Sequence, residues 1–213
     1  MPLLHPAFDQ DDCFAAGTKI ATARGPVRVE AVHPGDRVCT LLGGDTAKVV
    51  WTGHRVVDCA RHPNPEKVWP VRVAAHAFGR GMPAEDLVLS PGHAVYVDGV
   101  LIPVRLLANG RSVRQFLTGR IAYHHIQLSR HDVLLANGMP AESFLESGDR
   151  TLFGNGGEVV ALHPDFAARP WGSATCAPVM RAGPELEGVI RRLTGPPPRR
   201  SRRPRATLAP VRG

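Results

Sequence analysis

Cys13 opens the stretch Cys13-Phe14-Ala15-Ala16-Gly17-Thr18-Lys19-Ile20-Ala21-Thr22. A thiol just ahead of a tight glycine turn and a Thr-rich strand can fold back on the carbonyl that precedes it, that of Asp12. Attack there turns the Asp12–Cys13 amide into a thioester, and the chain can then be cut at that bond. The obstacle is the leaving nitrogen, which departs only when protonated. Ser90-Pro91-Gly92-His93 offers an imidazole, the side chain whose ordinary pKa lies nearest neutrality, as the source of that proton. The Ser90 hydroxyl beside it can orient the imidazole or the scissile amide, and nearby N–H donors would hold the oxyanion. Cys13 as nucleophile, His93 as general acid and Ser90 as helper therefore form a coherent acyl-transfer set. Singly, each is weak: a lone cysteine is more often a buried small hydrophobe, and S-x-x-H recurs by chance.

The elements that must position these residues read as short strands. Thr18–Thr22 alternates as a strand, Gly25-Pro26 reads as a turn, and Val27–Glu30 resumes the alternation. His33-Pro34-Gly35-Asp36 is a second turn. Arg37–Leu42 and Ala47–Trp51 form a hairpin across Gly43-Gly44-Asp45, and 54–59 continues in strand character. Further strands are expected over 68–74, 86–89, 94–97, 100–107, 120–128 and 133–136, with Asp98-Gly99, Asn109-Gly110 and Asn137-Gly138 as turns. Leu-Leu-Ala-Asn-Gly occurs at both 106–110 and 134–138, too short a match to establish a duplication. Ala141–Leu145 reads as a helical turn. Residues 147–157 read as a Gly-rich loop. Pro184–Leu193 is the best helix, with proline in its first turn and apolar Leu186, Val189, Ile190 and Leu193 at helical spacing.

With 22 glycines and 20 prolines in 213 residues, the composition favours an all-β, turn-rich domain. The net charge of +7 is confined to one end. Eight of the 26 basic residues lie in 188–213, leaving 18 basic and 19 acidic over residues 1–187, a net charge of −1. The Arg/Pro-rich tail 195–213 is expected to be solvated and disordered. It carries no aromatics to stack on bases, so nucleic acid is not an expected partner beyond non-specific charge attraction. Four cysteines (13, 39, 59, 176) without a CxxC pair suggest neither a zinc site nor a disulfide framework. The other three are expected to be structural. No signal peptide or apolar run of membrane-spanning length is recognised, which makes the expected location cytoplasmic. No cofactor and no metal are expected.

Three runs occur in a meaningful order. The first is Cys13 to Thr18, continued by Gly25, Val29-Glu30 and Gly35-Asp36-Arg37-Val38. The second is Leu87-Val88-Leu89-Ser90-Pro91-Gly92-His93-Ala94-Val95. The third is Tyr123 to Gly138, containing His124-His125 and His131-Asp132. Together, over 13–145, they resemble the Hint family, the hedgehog and intein self-processing domains, and most of all its stand-alone bacterial members. The resemblance implies an all-β horseshoe of short antiparallel strands whose ends meet at the reactive bond. It implies an N-to-S acyl shift by Cys13 aided by His93 and Ser90. It places His131 where inteins often carry a histidine assisting the second cleavage, and His125 where many members carry Asp or another polar group. It divides the chain into a leader (1–12), a Hint-like domain (13–145), an extension (146–194) and the tail (195–213).

The chain departs from inteins at their end. Glu142-Ser143 stands where they carry His-Asn, so full splicing is not expected. Asn137-Gly138 could cyclise chemically but reads better as a turn. No sterol-binding extension is recognisable. The expected activity is therefore cleavage or acyl transfer at Asp12–Cys13, with the chain's own flank as substrate and water, a thiol or an amine as acceptor. A catalytically silent scaffold of the same fold is the alternative, and a trans-acting cysteine hydrolase ranks last.

Overall fold

The computed structural model describes residues 13–145 and 175–194. Two long strands form its spine. Strand β5 (Thr46–Asp58) is rich in β-branched and aromatic residues, which suit a pleated, half-buried surface. It pairs antiparallel with β11 (Arg120–Leu128), with Tyr123 opposite Arg55 and His125 opposite Gly53. A bulge between Gln127 and Leu128 ends that register.

On the far side of β11 lies the two-residue β1 (Phe14–Ala15), followed by β7 (Leu87–Leu89), β6 (Val71–Val73) and β10 (Val113–Gln115). Beyond β5 come β4 (Arg37–Cys39), β2 (Lys19–Thr22), β12 (Val133–Ala136), β13 (Met139–Glu142), β8 (Ala94–Val97) and β9 (Val100–Pro103). The last strand, β3 (Gly25–Arg28), pairs β2 alone. All strand pairings are antiparallel, and the path of neighbours does not close on itself. The all-β expectation therefore holds.

Two hairpins turn on the expected residues. Asp98-Gly99 and Asn137-Gly138 have positive φ at both positions, 51° and 87°, and 48° and 79°. Such turns match the twist of flanking strands and favour Asn or Asp before Gly. Asn137 is also held by its side chain: Oδ1 accepts from Lys19 N at 2.7 Å and Nδ2 donates to Asp86 O at 2.8 Å. An amide so engaged serves as a turn rather than a cyclising nucleophile.

Several local expectations are corrected. The hairpin at Asn137-Gly138 sends the chain straight back along β12, so Ala141 and Glu142 lie in β13, opposite Leu134 and Val133, and not in a helical turn. Gly25-Pro26 begins β3, where backbone pairing with Thr22 and Ala21 takes precedence over the turn preference. Leu106-Leu107 end a 3-10 helix, whereas the same dipeptide at 134–135 is strand β12. Tertiary pairing decides between the two conformations, and no duplication follows.

The main core gathers Phe14, Ile20, Val38, Leu89, Ile102 and Ile126 with their neighbours. Helix α1 (Pro184–Thr194) adds Leu186, Val189 and Leu193 from one face, at the spacing expected. Just before it, Leu101 N donates to Pro178 O and Met180 N to Leu101 O, so residues 178–180 cover the outer edge of β9. The expected leader, the Gly-rich loop 147–157, Trp171–Ala174 and the tail lie outside the described residues. No helix among the described residues is long and apolar enough to cross a membrane.

Candidate functional site

Cys13 is fully buried at the head of β1. Phe14 pairs with His124 of β11 on one side and Leu89 of β7 on the other. Cys13 thus stands between the residue that follows in the β11 register, His125, and the residue that follows β7, Ser90. Its two reactive parts meet different partners. The thiol Sγ lies 2.6 Å from His125 Nε2. The amide N–H donates to Ser90 Oγ at 2.7 Å, and Ser90 N donates back to Cys13 O at 3.0 Å. Ser90 therefore holds the nitrogen of the Asp12–Cys13 bond, while His125 faces the sulfur.

His125 is 1 % exposed. Burial pushes its pKa well below the usual imidazole value, and the nearby His93, Arg55 and His124 add to this in that order. A neutral ring can accept the thiol proton. The sequence analysis marked His125 only as a polar position. Its role becomes visible through the β1–β11 register, which no local motif encodes.

The wall behind His125 depends on a glycine. A Cβ at Gly53, opposite His125, would fall inside the indole of Trp51. With only hydrogen there, the indole reaches across the strand to Phe144, 5.4 Å between ring centroids. Phe144 meets the His125 ring edge-on at 4.9 Å. Trp51, Gly53 and Phe144 escape sequence reading because their meaning lies in the convergence of β5, β11 and the residue Phe144 beyond β13.

His93 is buried against the opposite side of β1, its ring 4.3 Å from that of Phe14. Neither ring nitrogen has a hydrogen-bond partner among the described residues. Burial lowers its pKa to about 3, against the favourable pull of the Glu142 and Cys13 carbonyls, while His131 lowers it further. The histidine expected near neutrality is thus held uncharged. The amide of Cys13 is met by Ser90 Oγ.

His131 is engaged by Cys176 and Glu142. Its Nδ1 accepts from Cys176 N at 2.9 Å, which leaves Nε2 to carry the ring proton, 3.6 Å from Glu142 Oε2. Glu142 Oε1 accepts from Ala94 N at 2.7 Å. Burial pushes the Glu142 carboxyl up to about 8. At neutral pH the carboxyl in this contact is therefore protonated rather than a carboxylate. Ser143 Oγ accepts from Asp132 N and ties off the neighbouring turn.

Among the described residues no group of three or more His, Cys, Asp or Glu could hold a metal ion. None of the four cysteines is in a disulfide. A cavity of about 370 Å³ is lined by His76, Phe78, Tyr96, Met139 and Val189 among others, and by none of the residues around Cys13.

The family model described as Hint domain matches residues 12–148. Solved structures with a similar fold include a bacterial intein-like domain from Clostridium thermocellum. That likeness has 15 % identity over 63 % of this chain and 99 % of that one, with a TM-score of 0.48. The MchDnaB-1 intein shares 16 % identity over 60 % of this chain and 98 % of its own, with a TM-score of 0.44. A DnaB intein from Synechocystis shares 10 % over 62 % and 99 %, with a TM-score of 0.42. No curated protein matches the chain.

Proposed function

The chain belongs to the Hint domain family, and on that premise we propose that it processes itself by an N-to-S acyl shift at the Asp12–Cys13 bond. The observation that carries this reading is the double engagement of Cys13, thiol on His125 at 2.6 Å and amide nitrogen on Ser90 at 2.7 Å.

The Cys13 thiol gives its proton to neutral His125 Nε2 as Sγ attacks the Asp12 carbonyl carbon. A tetrahedral oxyanion forms. It collapses with the C–N bond breaking, and Cys13 N leaves as an amine after taking up a proton. The proton it takes up balances the one His125 removed from the thiol, and Ser90 Oγ, in hydrogen-bond contact with that nitrogen, holds it in place as the bond breaks. The product is a thioester between Asp12 and Cys13, and water, a thiol or an amine then releases the upstream flank. His131, held by Cys176 N and Glu142, supports the downstream edge of the site and takes no part in the thiol step.

Burial of Cys13, and a cavity beside α1 whose lining includes none of the residues around it, disfavour a hydrolase acting on added peptides. The test is intact mass of wild type and Cys13→Ala with and without hydroxylamine. Loss of residues 1–12 in wild type alone supports the shift. Identical intact masses in both reject it and leave a silent scaffold.

A further inference from the structure

Residues 175–180 lie beyond the stretch that matches the family, 12–148, and meet that domain along two paths that end at one residue, Ala94. The first path is apolar. Val179 bridges Leu101 of β9. Ala177 is buried in a cluster with Ala94, Leu101 and Val133, and Cys176 and Val179 pack against it.

The second path is polar. Cys176 N donates to His131 Nδ1 at 2.9 Å. A bond to one imidazole nitrogen sets what the other can do, and the other, Nε2, lies 3.6 Å from Glu142 Oε2. The second carboxyl oxygen, Glu142 Oε1, accepts from Ala94 N at 2.7 Å. The charge of Arg181, next in the chain after the stretch, also acts on this carboxyl. The side chains of His131 and Glu142 are 3 % and 1 % exposed, so neither has solvent to turn to. Ala94 is fully buried as well, and without Glu142 its N–H would be an unmet donor in the interior.

Ala94 ends the turn that carries Ser90. Within that turn His93 N donates to Ser90 O at 3.2 Å, and Val104 N holds His93 O at 2.9 Å. Ser90 Oγ, at the other end, accepts from Cys13 N at 2.7 Å. We propose that residues 175–180 are a positioning element of the site: through His131 and Glu142 they fix Ala94 and the turn behind it, and so keep the Ser90 hydroxyl on the Cys13 nitrogen. Cys176 acts by its backbone N–H and not by its thiol. The inference deepens the acyl shift proposed above, and its test does not need that shift to occur.

Cys176→Pro deletes the N–H, and Cys176→Ala keeps it. Hydrogen exchange is followed by NMR in the full, uncleavable Cys13→Ala chain carrying each change. The amide at position 13 is expected to exchange about three- to tenfold faster with Cys176→Pro than with Cys176→Ala, the range one hydrogen bond spans. The amide of Val49, bonded to Asp36 O, is the reference and is expected to hold its rate. Equal acceleration at both amides makes the stretch a source of general stability only and overturns the proposal, as does an unchanged rate at position 13. Proline can also disturb the stretch itself, so a second pair repeats the comparison at Glu142. Glu142→Leu removes the acceptor of Ala94 N and should show the same selective loss, and Glu142→Gln keeps an acceptor and should recover it. Equal exchange in that pair overturns the proposal. Timed cleavage of the chain with Cys13 intact separates the two claims. Selective loss at position 13 in a chain whose wild type never cleaves upholds the positioning element and rejects the acyl shift. Cleavage in wild type without selective loss does the reverse.

Discussion

The chemistry assigned here depends on which atom of Cys13 meets which neighbour. His125 faces the sulfur and Ser90 the nitrogen, so their removal should damage different steps. His125→Ala takes away the proton acceptor and is expected to slow thioester formation about 10²–10⁴-fold. Thiol-dependent release followed by mass reads this directly. An unchanged rate would remove His125 from the mechanism. Gly53→Ala tests the wall behind the base. The added methyl meets the Trp51 indole, and overpacking of this kind costs about 1–3 kcal/mol. Urea denaturation should show that loss, together with slower cleavage as Trp51 and Phe144 shift against His125. Normal stability and rate would mean that the indole moves aside without consequence.

At the level of elements, much was legible where local chemistry has one solution. Asn137-Gly138 and Asp98-Gly99 require positive φ and turn as read, and α1 presents the apolar face its spacing announces. The bounds of β8, β11 and β12 also match the strands expected there. Cys13, Ser90 and His93 were named from motif order, and the first two are in contact. What was not legible depends on register. β10 was missed, its three residues being strand only because β6 pairs them. Leu-Leu-Ala-Asn-Gly takes two conformations in two settings, and His125 gains its meaning from lying across from Cys13.

The β8–β13 junction gives an element-scale prediction. The Glu142 carboxyl is raised from an ordinary 4.5 to about 8 by burial, so the folded chain holds a proton that the unfolded chain releases between those values. Stability from this group is complete below about pH 4.5 and declines as pH rises through 8. Glu142→Gln keeps an acceptor for Ala94 N and abolishes the decline. Urea midpoints should show the variant gaining on wild type from pH 5 to pH 8. A constant difference across that range contradicts the assignment.

Among the described residues the molecule is an unclosed antiparallel sheet that brings β1, β7 and β11 together around Cys13 and buries the side chains that face it. That burial sets its response to acid. His93 falls to about 3, and His125 also lies well below its ordinary value. Both bind protons more readily unfolded, where histidine titrates near 6.5. The contribution of His93 to stability is complete above about pH 6.5 and is lost as pH falls toward 3, at up to about 1.4 kcal/mol per pH unit, and that of His125 is likewise lost as pH falls below its ordinary range. Wild type should therefore unfold at steadily lower urea between pH 6.5 and 4, while His93→Gln shows a shallower slope. The central claim remains the bond that is cut. Purified wild type and Cys13→Ala, incubated with and without hydroxylamine and weighed intact over time, test it most directly. The account predicts nucleophile-dependent loss of residues 1–12 in wild type and an unchanged mass in Cys13→Ala. Equal masses in both chains under every condition would contradict it.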